Sequence, residues 1–121
     1  LKAHDKVNSV NYPGLEGDKY YELAKREMPD GTCGVVSFRI KGGRKAAEEF
    51  MKHMKLGAIE THVADARTCC LHPASATHRQ MNDAELEACG VYPDLIRYSC
   101  GLEDAEDLIA DISQALDAVN V

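Results

Sequence analysis

The part of the sequence that most constrains the fold lies near its C-terminal end, where a turn, a strand and an amphipathic helix follow one another. Pro93 and Asp94 provide turn chemistry, and residues 95–100 then alternate between two sets of side chains, which is typical of a β-strand. Gly101 ends the strand, and apolar residues at helical spacing follow over 105–119. These 28 or so residues predict a domain in which a sheet packs against helices.

Arg97 lies in the middle of this predicted strand, between neighbours that favour burial. A buried guanidinium without a partner is energetically costly, so the sequence predicts an anionic group beside it. One interpretation is structural: Arg97 extends to the sheet edge or pairs with a carboxylate of the protein. The other is functional: its planar guanidinium binds a substrate carboxylate through two parallel hydrogen bonds. The spacing of the residues alone leaves both interpretations open.

Composition and charge exclude several classes of function. The chain has 121 residues, enough for one domain, and a formal net charge of −6, without any basic run, which disfavours nucleic acid and anionic membranes as partners. No apolar stretch approaches the roughly 20 residues that span a bilayer, and no signal-like segment opens the sequence, so we expect a soluble, cytoplasmic protein. The five cysteines are irregularly spaced, which argues against a disulfide framework. The opening Leu1-Lys2-Ala3 suggests a fragment of a longer protein.

Four segments with alternating side chains are predicted to be strands, and four segments with helical periodicity are predicted to be helices. Short connections between several strands favour antiparallel pairing. The sequence therefore predicts an α+β fold, a two-layer sandwich with a mostly antiparallel four-stranded sheet covered by helices. Residues 1–17 show no helical period and are predicted to be an extended segment that leads into a domain over 18–121. The predicted strands are 33–40, 59–63, 68–72 and 95–100, and the predicted helices are 18–28, 44–55, 82–90 and 105–119.

Other groups of residues with ligand-binding side chains lack the spacing that such sites require. The Gly42–Gly43 pair is not completed by further phosphate-loop residues and is interpreted as a turn, and the acidic residues of 103–107 are interpreted as partners of a helix dipole. No nucleophile–base pair or dinucleotide motif is recognisable, so no catalytic, cofactor-binding or metal-binding residue is predicted in this chain. Zinc is disfavoured because neither Cys-x-x-Cys nor a paired-histidine spacing occurs among Cys69, Cys70, His72 and His78.

Five segments occur together in an order that characterises one family. They are 10–15 (Val-Asn-Tyr-Pro-Gly-Leu), 22–25 (Glu-Leu-Ala-Lys), 37–43 (Ser-Phe-Arg-Ile-Lys-Gly-Gly), 72–78 (His-Pro-Ala-Ser-Ala-Thr-His) and 93–104, which begins Pro-Asp-Leu-Ile-Arg and ends Glu-Asp. With this combination the chain resembles the C-terminal domain of the Cys/Met-metabolism pyridoxal-phosphate (PLP) enzymes, the small domain of fold-type I PLP transferases. The O-acetylhomoserine sulfhydrylase branch is the most similar, and the resemblance extends over nearly the whole chain.

The resemblance implies a cytoplasmic, homotetrameric enzyme of methionine biosynthesis in which PLP is bound to a lysine of a larger N-terminal domain. That enzyme replaces the γ-substituent of O-acetylhomoserine by sulfide and gives homocysteine. No lysine of this chain has the Ser-x-x-Lys setting of the family's Schiff-base residue. The resemblance therefore implies that this fragment binds no cofactor, is inactive alone and acts, together with its own PLP domain, on a small amino-acid substrate.

The resemblance also implies which residues bind that substrate. Arg97 would bind the substrate α-carboxylate and so orient the amino acid toward the cofactor. His62 and Val63 are the first two residues of a four-residue segment, 62–65 (His-Val-Ala-Asp). At this segment the sulfhydrylases usually have Asn-Val-Gly-Asp and the cystathionine enzymes Ser-Leu-Gly-Gly. The first residue and the backbone of these motifs help to bind the same carboxylate. Ala64 replaces the glycine of both motifs and limits backbone freedom. Thr77 would line the substrate entrance or, equally, hydrogen-bond its own loop.

Several alternatives to a sulfhydrylase stay open from the sequence. Asp65 and the 72–78 run favour the sulfhydrylase branch, but His62 and Ala64 depart from its pattern, so the cystathionine γ-synthase, cystathionine γ-lyase and methionine γ-lyase branches are alternatives. A free-standing module that binds a small carboxylate would use the same arginine. A purely structural domain that makes subunit contacts would need Arg97 only for stability.

Overall fold

A five-stranded sheet forms the centre of the structure, a computed structural model that describes residues 1–121 throughout. The strand order is β1-β2-β5-β4-β3, and every neighbouring pair is antiparallel except β3 and β4, which are parallel. The sheet therefore has one strand more than the four predicted and one parallel pair. The strands are β1 Val7–Asn11, β2 Val35–Ile40, β3 Ala58–Ile59, β4 Cys69–Leu71 and β5 Leu95–Ser99.

The helices lie where the helical periodicity predicted them, with shorter bounds. A short 3₁₀ turn at Pro73–Ser75 is the remaining helical element. Asn82 caps the third helix through the predicted capping box with Glu85. None of the helices is both long enough and apolar enough to cross a bilayer. The α+β class predicted from the sequence is confirmed, and the helices are α1 Tyr21–Glu27, α2 Gly43–His53, α3 Asp83–Ala88 and α4 Ala105–Asp117.

The hydrophobic core lies between one face of the sheet and the pair α2 and α4. Phe38 packs edge-to-face on Phe50 of α2, with 5.6 Å between ring centroids. Gly42 directly precedes α2 and has φ +102°, and a Cβ at this position would collide with Val121, so the Gly42–Gly43 pair forms a close turn. The other fully buried members of this core include Ile40, Ala47, Ile96, Tyr98, Ala115 and Leu116.

Strand β1 is the element that the sequence analysis missed, because residues 1–17 were predicted only as an extended segment. Val7 pairs with Ile40 and Val10 with Phe38, and the register shifts between Val7 and Ser9. This bulge places Val7 and Val10, which are three residues apart, on the same inner face of the sheet. The alternation that signals a strand is therefore absent from the sequence, although Val7 is buried in the core.

The segment predicted as strand 59–63 is mostly a loop. β3 contains only Ala58 and Ile59, and the Ile59 side chain is 64% exposed. The exposed residues 60–67 follow, and the chain enters the sheet again at Cys69. The alternation of Ile59, Thr61 and Val63 was therefore misleading, because this part of the chain leaves the edge of the sheet.

Two charged side chains connect α4 to the segments that directly precede β1 and β3. The Lys6 ammonium donates to three carbonyl oxygens at the C-terminal end of α4, at 2.7 to 2.9 Å, and so satisfies acceptors that the helix leaves free. Buried Asp111 accepts from the backbone N–H groups of Lys55, Leu56 and Gly57 at 2.9, 2.9 and 3.0 Å. Burial favours the protonated form of Asp111, but these hydrogen bonds outweigh it and hold the carboxyl pKa below its ordinary value.

Candidate functional site

The side of the sheet opposite α2 and α4, which we call the open face, carries polar side chains beside apolar ones. Cross-strand pairing places Asn11, Ser37, Arg97 and Leu71 in one row across β1, β2, β5 and β4. Side chains of a strand point alternately to its two faces, so these residues lie opposite the buried Phe38, Ile96 and Tyr98. Asn11 is exposed, Ser37 and Arg97 are half-buried, and Leu71 is buried.

Arg97 occupies the centre of the open face and has no carboxylate partner. Its Nη2 donates to the carbonyl oxygen of Thr61 at 2.6 Å, and no Asp or Glu side chain lies within ion-pair distance of the guanidinium. A guanidinium presents its N–H donors in a planar fork that fits a carboxylate. The half-buried Arg97 therefore retains donors for an anion that the chain itself does not supply.

Arg39 lies on the same face of the neighbouring strand and shows what a structurally paired arginine looks like here. Its Nε donates to Asp94 Oδ1 at 2.8 Å, and the guanidinium lies 3.8 Å from the ring centroid of Tyr92. The hydrogen bond to Asp94 raises the pKa of Arg39. Pairing with a carboxylate of the protein, one of the two interpretations of Arg97, is therefore found at Arg39.

A loop at residues 60–68 brings His62 and Val63 next to the Arg97 contact. Thr61, which accepts from Arg97, directly precedes His62. Ala64 has φ +57°, in the left-handed region, and its N–H donates to Ser99 Oγ at 3.1 Å. Both predicted residues are exposed, and His62 Nδ1 lies 3.5 Å from Asp65 Oδ2. The alanine that replaces the glycine of both motifs therefore adopts the backbone conformation that glycine favours.

The other end of this loop is held by Glu103, which the sequence analysis assigned only to a helix dipole. Thr68, which is fully buried, donates its backbone N–H to Glu103 Oε2 at 2.9 Å and its Oγ1–H to Glu103 Oε1 at 2.8 Å. Hydrogen bonding by the Thr68 N–H lowers the pKa of Glu103. The N–H of Gly101 donates to Thr68 Oγ1 at 2.8 Å, and a Cβ on Gly101 would lie 2.5 Å from Thr68 N. No sequence signal separated Glu103 from its acidic neighbours.

Thr77 and His72 are held in contacts of their own region rather than with Arg97. The Thr77 hydroxyl lies 2.8 Å from His78 Nδ1, and no hydrogen bond connects it to Arg97 or to the 60–68 loop. His72 is buried, with Nε2 2.7 Å from the Pro93 carbonyl oxygen and Nδ1 2.8 Å from Ser75 Oγ. Burial lowers the pKa of His72, which favours a neutral ring that fixes the 72–75 turn.

The surface around Arg97 contains neither lysines nor groups of metal-binding side chains. None of the five strands and no residue of the 60–68 loop is a lysine, so this surface offers no amine for a Schiff base. No group of three or more His, Cys, Asp and Glu side chains is placed to hold a metal ion. The two largest apolar cavities, of about 460 and 310 Å³, share Leu1, Val36 and Cys100 and do not include Arg97. What the surface around Arg97 does offer is the free N–H donors of a half-buried guanidinium.

Comparison with known proteins gives the chain its relatives. The sequence model of the family described as Cys/Met metabolism PLP-dependent enzymes matches residues 1–117. An O-acetyl-L-homoserine sulfhydrylase of Leptospira meyeri is 40% identical over 96% of this chain and 26% of its own length. A homocysteine synthase of Schizosaccharomyces pombe is 42% identical over 97% of the chain and 27% of its own length. An L-methionine gamma-lyase of Treponema denticola is also 42% identical, over 97% of this chain and 29% of its own length.

A solved structure agrees with these relatives. A chain of Campylobacter jejuni, described as an O-acetylhomoserine (thiol)-lyase and containing N′-pyridoxyl-lysine-5′-monophosphate, superposes with a TM-score of 0.87 at 33% identity. The match covers 96% of the present chain and 28% of that one, so the chain spans less than a third of the length of each relative. The family resemblance inferred from the five sequence segments is confirmed. The chain belongs to the Cys/Met-metabolism PLP-dependent enzymes.

Proposed function

We propose that this chain is the C-terminal, substrate-binding part of a PLP-dependent O-acetylhomoserine sulfhydrylase and that Arg97 binds the α-carboxylate of the substrate. The remainder of the polypeptide supplies PLP and its lysine, because the open face contains no lysine. The whole enzyme, a homotetramer in this proposal, replaces the acetate of O-acetylhomoserine by sulfide and gives homocysteine and acetate. Isolated from that remainder, the chain is inactive.

The observation that carries the proposal is the contrast between two arginines on one face. Arg39 has a carboxylate at 2.8 Å, whereas Arg97 has only the carbonyl oxygen of Thr61. Leaving a half-buried guanidinium without an anion is unfavourable unless a ligand completes its contacts. Hydrogen bonds to charged groups contribute about 1.5 to 3 kcal/mol each, so a bidentate contact is sufficient to orient a small amino acid.

Neighbouring groups support a carboxylate at this position. The 60–68 loop presents His62 and Val63 next to the residue that contacts Arg97, and the His62 ring can donate to a carboxylate oxygen. Backbone N–H groups of an exposed loop are a second source of donors. Thr77 is assigned to the rim of the substrate entrance, where its hydroxyl already contacts His78.

A methionine γ-lyase is the second candidate, because a relative with that name is as similar as the homocysteine synthase, at 42% identity. Both reactions start from an amino acid whose α-carboxylate must be held, so Arg97 and the 60–68 loop serve either one. The sulfhydrylase is favoured because Asp65 matches its motif and the 72–78 run is shared with that branch.

The test is a pair of assays on the full-length enzyme loaded with PLP. One assay follows homocysteine formed from O-acetylhomoserine and sulfide, and the other follows the α-keto acid and ammonia formed from methionine. We expect the first product and a long-wavelength absorption band that shifts when O-acetylhomoserine is added. Turnover of methionine alone would assign the lyase branch, and no turnover of either substrate would refute the proposal.

The role of Arg97 is tested in the same enzyme by Arg97→Lys. Lysine keeps the charge but loses the planar fork, so KM for O-acetylhomoserine should rise about 10- to 100-fold, with a smaller change in kcat. Arg39→Lys is the matched control on the same face, and it should affect stability without changing KM. Equal values of KM and kcat/KM for wild type and Arg97→Lys would show that Arg97 does not bind the substrate.

A further inference from the structure

Four polar connections tie the 60–68 loop to the end of β5 and the residues that follow it. In order along both segments, the Thr61 carbonyl accepts from Arg97, the Ala64 N–H donates to Ser99, the Ala66 carbonyl accepts from the Leu102 N–H at 2.8 Å, and Thr68 donates to Glu103. The first connection includes the proposed carboxylate-binding residue. The last connection is the only one that contains a carboxylate.

The loop has little else to hold it in place. Residues 60–67 are all exposed, so no apolar side chain anchors them in the core. Segments with few buried contacts and exposed hydrogen bonds open at low free-energy cost. The position of His62 and Val63 relative to Arg97 therefore depends on these polar connections and on the two ends of the loop, where β3 joins the sheet edge and where Thr68 becomes buried.

Thr68 and Glu103 form the connection of the 60–68 loop that contains the most hydrogen bonds, and Thr68 is fully buried. The Thr68 hydroxyl donates to Glu103 and accepts from the Gly101 N–H, both at 2.8 Å, and the Thr68 N–H donates to the other carboxylate oxygen. Only glycine permits this close approach at position 101, because a Cβ there would collide with the Ala66 carbonyl oxygen and with Thr68 N. Every polar group of Thr68 that faces this connection is thus satisfied by residues 101–103.

We propose that Glu103 is a positioning residue for the substrate carboxylate. By holding Thr68, Glu103 fixes the 60–68 loop against β5, so that His62, Val63 and Arg97 present their donors together. Glu103 itself does not contact the substrate. The proposal rests on the function proposed above and adds a residue that neither the motifs nor the dipole interpretation assigned to binding.

The experiment compares Glu103→Gln with Glu106→Gln in the full-length, PLP-loaded enzyme. Glu106 is exposed in the first turn of α4, three residues after Glu103, and its side chain makes no hydrogen bond. Its substitution therefore makes the same change of charge without breaking a contact. Glutamine at 103 offers one acceptor and places an NH₂ against a donor. We expect KM for O-acetylhomoserine to rise about tenfold in Glu103→Gln, with kcat changed less than about twofold, and no change in Glu106→Gln.

Hydrogen exchange measured by mass spectrometry gives a readout that does not depend on activity. The peptide that covers 60–68 should exchange about tenfold faster in Glu103→Gln than in wild type, whereas core peptides of β2 and β5 should not change. Thr68→Val removes the linking hydroxyl and should reproduce both effects. Thr68→Ser keeps the hydroxyl and should restore KM to within about threefold of wild type.

Several results would overturn the proposal. They are an unchanged KM in Glu103→Gln, an equal rise in Glu106→Gln, faster loop exchange without a change in KM, or equal losses in Thr68→Ser and Thr68→Val. A wild-type enzyme that uses neither O-acetylhomoserine nor methionine would refute the proposed function. An active wild-type enzyme with an unaffected Glu103→Gln variant would refute only the role of Glu103.

Discussion

The two faces of the sheet use the same strands for different purposes. On the covered face, Phe38, Ile96 and Tyr98 pack against α2 and α4 and are almost completely buried. On the open face, the alternate residues of β2 and β5 include Arg39 and Arg97, which remain partly exposed. Because side chains alternate along a strand, each apolar anchor stands next to a polar one. The difference indicates that stability resides mainly on the covered face, and the proposed function places ligand binding on the open face.

The largest expected effect on the covered face comes from Phe50→Ala. Phe50 is fully buried against Phe38, so its removal should lower the free energy of unfolding by about 3 to 5 kcal/mol. The measurement is urea unfolding of the chain followed by circular dichroism. Ile109→Ala on α4 is the control, since Ile109 is 61% exposed and its loss should cost less than about 0.5 kcal/mol. If the folded Phe50→Ala enzyme also showed a raised KM, the separation of the two faces would fail.

A smaller loss of stability is expected from Asp111→Asn, which tests whether polar groups also stabilise the covered side. The buried carboxylate accepts three backbone N–H donors, and an amide can place an N–H against them, so we expect a loss of about 2 to 3 kcal/mol at neutral pH. Asp107→Asn, on the exposed first turn of α4, should change stability by only a few tenths of a kcal/mol.

The same variant gives a pH dependence with a defined sign. The pKa of Asp111 is lower in the folded than in the unfolded protein, so the unfolded state binds this proton more readily. Its contribution is therefore complete above about pH 4 and is lost as pH falls through the folded pKa. The free energy of unfolding is measured from pH 7 down to pH 3. Below about pH 4 it should fall more steeply with decreasing pH for wild type than for Asp111→Asn. If the unfolding free energies of wild type and Asp111→Asn had the same pH dependence, Asp111 would not contribute to the acid sensitivity of the fold.

The smallest predicted effect lies on the open side, at Ala64. An L-residue at φ +57° carries roughly 1 kcal/mol of strain that glycine avoids, although glycine also gives the unfolded chain more freedom. Ala64→Gly should therefore change the free energy of unfolding by less than about 1 kcal/mol, in the stabilising direction. Gly17→Ala, at φ +94° with open space around it, is the reverse control and should destabilise. A marked loss of stability in Ala64→Gly would show that the methyl group packs usefully.

The sequence predicted the parts of the fold whose side chains alternate or repeat with simple periods. β2, β5, α2 and α4 were recognisable because their inner residues face one continuous core. β1 was not, because its bulge places Val7 and Val10 on one face at an odd spacing. The prediction of a strand over 59–63 was wrong for the opposite reason. Ile59, Thr61 and Val63 alternate as in a strand, but the chain leaves the sheet after Ile59.

The candidate site was predictable only as far as single residues carry a signal. Arg97 could be singled out because a charge in the middle of a strand needs a partner. Glu103 could not, because its partner Thr68 is 35 residues away and its acidic neighbours offer a simpler explanation. The contrast between Arg39 and Arg97 required coordinates. In the sequence Asp94 is close to Arg97, yet it pairs with Arg39, which is 55 residues away and is placed opposite Leu95 by the pairing of β2 and β5.

The 60–68 loop has a consequence for how this family can diversify. Because residues 60–67 bury nothing, their side chains can be exchanged without opening a cavity, as long as the backbone connections to β5 and to residue 103 persist. New selectivity can then arise from substitutions such as those at His62 and Ala64 while the core stays constant. A library randomised at 62, 63, 65 and 66, with alanine or glycine kept at 64 because of its positive φ, would test the proposed substrate role of the loop at little cost to folding.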